Sequence, residues 1–344
     1  TIPAGATIVN SGTATGFGGI TKSASDPAID TNPAGGLGTI WANTTSGEMY
    51  ILTDATAGAN IWRNTGEGTG SIPVLYTVAT GGTITTDGNF KVHTFNSSGA
   101  LNITQVGNDN LRALVIAGGG GGGSASRGAG GGAGGLIDNT SFTGSVGSLT
   151  VTIGAGGNSG PYSGTNNSDG RGTNGSNTVF STLTAIGGGR GGSSDVAPMK
   201  HGTDGGSGGG SWVIIGQAGQ PTTGQGTAGG DGHGGQPYGG GGGGAGQSGR
   251  ASNDASFPSK GGDGLQLNIS GTNTYYAGGG SASGYNRDDS YAGGLGGGGM
   301  GKNGGAGNPV GQSPMNGTAN LGGGGGASGN GGSGVVIIRY QFQA

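Results

Sequence analysis

The chain has 344 residues, of which 97 are glycine; 29% are hydrophobic, 8% are charged, and the formal net charge is −3. So little apolar material excludes an oil-drop core running through the whole chain, and the sparse charge lacks the basic footprint of nucleic-acid and anionic-membrane binders. Neither nucleic acid nor membrane insertion is therefore expected, and the absence of cysteine excludes a disulfide framework. No signal peptide is read behind Thr1, which leaves the native start open.

Only 18 of the 97 glycines precede residue 118, so a compositional boundary falls there. Ahead of it, β-branched and aromatic residues alternate with polar ones between turn signals. Thr39 to Ala42, Met49 to Leu52 and Ile61 to Arg63 read as strands of a small β module over residues 1–72. Residues 73–117 form a second β region, with strands at Val74 to Val78, Asn89 to Phe95 and Leu101 to Val106. Asp87-Gly88 marks a hairpin turn between strands. No segment carries a helical period with caps.

Residues 118–344 form the glycine-rich part. Two apolar runs bracket it, Leu111 to Ala117 and Val335 to Tyr340, both suited to buried strands. If they pair, everything between becomes a closed excursion and costs less entropy to order. Leu149 to Ile153, Thr178 to Ile186, Trp212 to Ile215, Leu265 to Ile269 and Thr274 to Ala277 are strand-like islands inside it.

Gly/Ser tracts of this kind usually behave as linkers, but linkers do not return to closing strands or carry Phe, Trp, Tyr and Leu that need packing partners. Collagen would need a strict Gly-X-Y period and more than 11 prolines. The calcium-binding β-helix repeat fails at Gly229 to His233 and at Gly261 to Leu265, which lack its Asp spacing. The remaining architecture is polyglycine II: three-residue extended helices whose N–H groups all survive to bond neighbouring helices. Each bond nets about 1 kcal/mol against roughly 1–2 kcal/mol of backbone entropy per residue, so apolar islands must help by covering the glycine layer. The fold class is thus all-β and irregular: short antiparallel modules, then packed polyglycine II helices closed by terminal strands.

Leu114 to Ala117 running into Gly118 to Gly123, Ser148 to Gly157, Phe180 to Ala185 before Gly187 to Gly189, and the closing Gly332 to Tyr340 resemble the glycine-rich domain of bacteriophage tail-fibre proteins. The resemblance spans about residues 80–340. Residues 38–70, with Trp41, Thr44 to Glu48, Thr53 to Ala55 and Trp62, resemble a small module of marine phage tail proteins. Tail-tip adhesins with a similar glycine pattern are sandwiches of polyglycine II helices whose loops contact host receptors, and the resemblance implies that function here. The terminal strands and the N-terminal module depart from those adhesins.

Chemistry finds little footing in the sequence. Gly205 to Gly209 matches a nucleophile elbow around Ser207, but such matches arise by chance in this composition and no strand or helix flanks it. No catalytic residue, cofactor or metal is expected; Asp204, Asp231, Asp263, Asp288 and Asp289 read as solvated turn acids rather than Ca²⁺ ligands. Recognition is better supported. Tyr162, Met199, His201, Tyr238, Phe257, Tyr285, Arg287, Asp288 and Tyr291 sit in breaks between glycine runs, where a rigid scaffold presents contact residues. Leu114, Ile116, Phe180, Trp212, Val336 and Ile338 are expected to be structural, as is Tyr275.

The expected function is a non-enzymatic tail fibre or tail-tip adhesin, on the virion or otherwise extracellular. Its expected partners are a host surface glycan or outer-membrane protein, other tail-fibre or baseplate proteins, and further copies of itself. The competing expectation is a subunit of an extracellular glycine-rich filament assembled by strand pairing. A carbohydrate-cleaving tail enzyme would instead need paired carboxylates about 5–10 Å apart.

Overall fold

The computed structural model describes residues 20–65, 75–123, 128–160, 170–193, 200–212, 217–233, 238–252, 259–283, 292–301 and 315–343. The chain divides into two units, Thr1–Val74 and Leu75–Ala344. The described residues contain strands and extended segments and no helix.

In the first unit, β1 (Ile20–Ser23), β2 (Ile40–Asn43), β3 (Met49–Asp54) and β4 (Ile61–Asn64) form one sheet in that order. β1 lies parallel to β2 and the other pairs are antiparallel. Alternation along the strands sends Trp41 and Trp62 to one face, where they meet edge to face with ring centroids 5.7 Å apart. Buried Asn43 ties down the turn after β2: its carbonyl accepts the N–H groups of Thr45 and Ser46, and its amide donates to Asp26 at 2.8 Å. That amide bond holds the Asp26 carboxyl below its ordinary range.

The second unit opens with β5 (Val78–Thr80), β6 (Thr83–Asp87), β7 (Phe90–Phe95), β8 (Gly99–Gln105) and β9 (Leu111–Ile116). It continues through β10 (Leu136–Phe142), β11 (Gly147–Thr152), β12 (Thr178–Phe180), β13 (Leu183–Ala185), β14 (Leu265–Leu267), β15 (Thr274–Tyr276) and β16 (Val335–Gln341). A central sheet has the order β10-β9-β16-β7-β6, an outer sheet the order β13-β12-β11-β8-β5, and β14-β15 is a hairpin. The two apolar runs that bracket the glycine region do pair, Ile116 opposite Val335 and Ile338 opposite Ala113.

Both faces of these two strands are covered, which is why they read as apolar runs interrupted only by Arg112 and Arg339. Leu111, Ala113, Val115, Val336, Ile338 and Tyr340 point toward the outer sheet and meet Leu101, Ile103, Val151 and Phe180 there. Phe142 and Phe180 bridge the two sheets at 4.9 Å. Leu114, Ile116, Val335 and Ile337 point the other way, against Ile269, Tyr276 and Ala277 of the hairpin layer. Two arginines that are register partners, Arg112 and Arg339, edge this second face: Arg112 makes a bidentate pair with Asp138, and Arg339 bonds Asp87 at 2.7 Å. The hairpin turns Tyr276 into the core and leaves Tyr275 36% exposed, so the packing role expected of Tyr275 belongs to its neighbour. Period-two alternation decides which of the two adjacent tyrosines is buried.

The glycine runs extend these layers. β9 runs straight into Gly118–Gly123, and the row 128–135 runs back into β10; rows 154–160 and 170–177 join β11 and β12, 186–193 leaves β13, and 329–334 enters β16. Each row bonds its neighbours with a repeat of three. The N–H groups of Gly118 and Gly121 go to Ser176 and Thr173, those of Gly119 and Gly122 to Gly332 and Gly329, and those of Gly120 and Gly123 to Gly132 and Ala129. Their carbonyls accept in the same rhythm: Gly118 and Gly121 from Gly188 and Gly191, Gly119 and Gly122 from Gly157 and Gly160, Gly120 and Gly123 from Gly325 and Ser328. The row is therefore enclosed by three antiparallel acceptor rows and three parallel donor rows. That is the three-fold, backbone-only lattice of polyglycine II.

Conformational freedom is not what demands glycine here, because none of Gly118 to Gly123 has φ in the left-handed region. Space is. A Cβ built on any of the six would strike a carbonyl group, of Ala155, Gly323, Gly189, Asn158, Gly326 and Gly192 in turn. Positive φ is reserved for reversals such as Gly296 and Gly297, at 99° and 89°.

One buried titratable group links the closing strand to the rest. His93 on β7 is fully buried, stacked on Tyr340 of β16; its Nδ1 lies 2.7 Å from the Gly81 carbonyl oxygen and its Nε2 2.9 Å from the Tyr340 hydroxyl. The carbonyl requires the proton on Nδ1, so Tyr340 donates to Nε2. Burial, aided by the nearby Lys91 ammonium, holds the imidazole below its ordinary pKa, and burial pushes the Tyr340 phenol up. A histidine kept neutral in the fold contributes stability fully above its unfolded pKa of about 6.5, and that contribution is lost as pH falls below it. Denaturant unfolding between pH 8 and pH 5 should therefore show stability declining below about pH 6.5, by up to roughly 1.4 kcal/mol per pH unit. The decline should flatten in His93→Gln; an equal decline in that variant would remove His93 as its source.

Candidate functional site

The lattice has two unlike ends. At the sandwich end the rows reverse through short neutral turns: Gln225 bonds its N–H to Thr222, Gln247 accepts from Gly244, Leu295 accepts from Gly264, and Leu321 accepts from Ala277. None of these turns carries Lys or Arg.

At the far end, lateral hydrogen bonds join the described residues that flank all the longer connections. Ala129 bonds Gly192, which bonds Gly210; Trp212 bonds Lys200; Gly240 bonds Ser211; His233 bonds Tyr238. Ser252 bonds Asp231, Ala282 bonds Ser259, Ser283 bonds Gly128, and Gly326 bonds Met315. Residues 123 and 128, 160 and 170, 193 and 200, 212 and 217, 233 and 238, 252 and 259, 283 and 292, and 301 and 315 thus share one end. Rows of about six residues rising roughly 3.1 Å each hold that end about 20 Å from the sandwich.

Of the expected recognition residues, His201 and Tyr238 are described, and both are half-buried at this far end. Tyr162, Met199, Phe257, Tyr285, Arg287, Asp288 and Tyr291 lie outside the described residues, as does Asp289; the rows that flank their segments end here. Trp212 is almost completely buried, and Phe180, Leu114, Ile116, Val336 and Ile338 completely so. Arg171, Arg190, Lys200, Arg250 and Lys260 stand on described rows beside the same connections. Sequence reading missed this clustering, although the signal was present: within residues 118–334 every Lys and Arg falls in or next to a long break, never at a short turn.

Ser207, Asp204, Asp231 and Asp263 are occupied by the scaffold. Ser207, centre of the elbow-like pattern, is buried and donates to the Gly244 carbonyl at 3.0 Å. Asp204 accepts the Gln220 N–H, and Asp231 those of Gln217 and Ala218. Asp263 is bonded by Lys260 at 2.9 Å and by the Leu295 N–H; these contacts outweigh its burial and hold its carboxyl below the usual range. Among the described residues no three His, Asp or Glu side chains converge on a common point. A groove of about 240 Å³ beside β6, lined by Thr94, Phe95 and the turn Asn96 to Ser98, contains no titratable side chain.

The end at which the second unit begins is also defined. Asn108, in the turn from β8 to β9, bonds the Leu75 carbonyl, and Gly107 bonds the Thr77 hydroxyl. That turn lies at the end of the sandwich opposite the lattice.

The second unit is thus a three-layered β-structure whose strands continue into a polyglycine II lattice. The chain belongs to the glycine-rich domain family, whose model matches residues 94–341. No curated protein matches it.

Proposed function

We propose that the chain is a bacteriophage tail-fibre or tail-tip adhesin that performs no catalysis and binds a host-cell surface glycan or outer-membrane protein. The observation that carries this reading is the polarity of the second unit. Its first residue lies at one end, and the described residues that flank the longer connections lie together at the other, on rows bonded to one another through their backbones. The first unit then serves attachment or assembly, in line with the resemblance of residues 38–70 to a module of phage tail proteins. Rigid presentation lowers the entropy lost on binding, which favours a lattice over flexible loops.

Fluorescently labelled chain applied to a panel of intact bacteria and to printed lipopolysaccharide and capsular glycans tests this. Binding is expected, and His201→Ala combined with Tyr238→Ala should weaken it at least about ten-fold, or 1.4 kcal/mol, without shifting Tm. Thr222→Ala at the opposite end should leave it unchanged. Equal weakening by both variants, or binding to neither surface, would sink the reading.

A further inference from the structure

We infer that the outer edge of β6 is an interface between two copies of this chain, paired antiparallel about a two-fold axis through Thr85. The inference stands on the edge itself and is independent of what the far end of the lattice binds.

Sheet edges expose unpaired N–H and C=O groups, and proteins blunt them with short strands, bulges or charge. Every other edge among the described residues is blunted in this way. β10 is bulged between Asn139 and Phe142, β5 has three residues and a register shift, and β13 has three residues. β1 carries Lys22, β4 carries Arg63 beside a shift in β3, and β14 and β15 have three residues each. β6 alone has neither device: five residues, Thr-Ile-Thr-Thr-Asp, pair with β7 in unbroken register from Thr83 opposite Thr94 to Asp87 opposite Phe90. Thr83 to Thr86 are exposed, Ile84 by 44%. The single charge, at Asp87, is neutralised by Arg339 at 2.7 Å.

The pairing geometry suits a second copy. The two-residue turn Gly88-Asn89 makes Asp87 and Phe90 a hydrogen-bonded pair, so the polar backbone groups of Ile84 and Thr86 point outward and those of Thr85 inward. A two-fold axis at Thr85 places Ile84 opposite Thr86, where the outward groups of each satisfy the other. It also places Thr83 opposite Asp87 and Thr85 opposite its own copy, so no like charges meet. The two central sheets would merge into one ten-stranded sheet, and because the contact is self-complementary it closes at two copies.

Sedimentation velocity of the full chain at about tens of micromolar should show a dimer. With no native cysteine, Thr85→Cys offers a direct probe. A non-hydrogen-bonded antiparallel pair sets Cα atoms about 4.5 Å apart, within disulfide range, so mild oxidation should cross-link most of the chain as dimer. Ser141→Cys on the bulged edge of β10 should stay uncross-linked. Thr85→Lys, which sets two ammonium groups face to face, should give monomer with an unchanged thermal transition. A monomeric wild type, an open-ended polymer, a dimer that survives Thr85→Lys, or cross-linking no greater at Thr85 than at Ser141 would each overturn the assignment.

Discussion

Gly131→Ala is expected to destabilise the second unit by about 3–5 kcal/mol and to lower its Tm by about 10 °C or more. Gly131 lies in the middle of the row 128–135, donating to Gly325 and accepting from Gly280. A Cβ there would strike the Gly120 carbonyl and come within 3.0 Å of Gly121. Gly120 cannot retreat, because it already donates to Gly132 and accepts from Gly325 at 2.9 Å each. Moving it breaks two buried backbone bonds, each costing about 1–3 kcal/mol when left unsatisfied. Gly99→Ala is the matched control, since its added Cβ meets only Phe95 at 3.9 Å and its φ is not left-handed, so the change should stay within about 1 kcal/mol. Differential scanning calorimetry of the two variants decides the matter. Equal shifts would mean that the rows have room to spare and that the glycines are not there for close approach.

A chain ending at Gly334 is expected not to fold its second unit. β16 is an inner strand, flanked by β9 and β7, so its loss splits the central sheet rather than trimming it. Val335, Val336, Ile337, Ile338 and Tyr340 are each at most 3% exposed. At about 1.5–3 kcal/mol for each buried side chain, their removal forfeits roughly 8–15 kcal/mol, comparable to the whole stability of a typical domain. The ends of the long excursion would also be released, restoring entropy to every row between them. Circular dichroism and amide exchange should show no cooperative transition and no protected glycine amides, and a synthetic 335–343 peptide added in trans should restore both. A truncated chain melting like the full one would show that the lattice orders without its closing strand.

Much of this architecture was legible in local sequence. Leu111 to Ala117 and Val335 to Tyr340 announced inner strands because both faces are apolar, and the hairpin at Asp87-Gly88 appears with Gly88 at φ 56°. The island at Thr178 to Ile186 proved to be a tight hairpin of two strands, with Ser181 at φ 51°. Three strands escaped notice. β6 and β1 are exposed and lack an apolar face, and β10 carries Asp138, Asn139 and Thr140 because its edge position leaves those residues half-buried or exposed. Of the span Val74 to Val78 read as a strand, Val74 lies outside the described residues, and from Leu75 onward pairing begins at Val78, where β8 offers an edge.

By itself the sequence determined that the ordering force beyond residue 117 had to come from the backbone. The 79 glycines there (97 − 18) leave little else to bond, and two apolar strands hold the ends. Only the tertiary structure decided where the few long side chains gather. A glycine row carries no apolar period to say which way it runs, so its direction comes from the strand it continues and, for Gly118 to Gly123, from backbone bonds to six neighbouring rows, three accepting and three donating. Those long-range bonds put the four turns near Gln225, Gln247, Leu295 and Leu321 against the sandwich and bring the described residues that flank the longer breaks together at the opposite end.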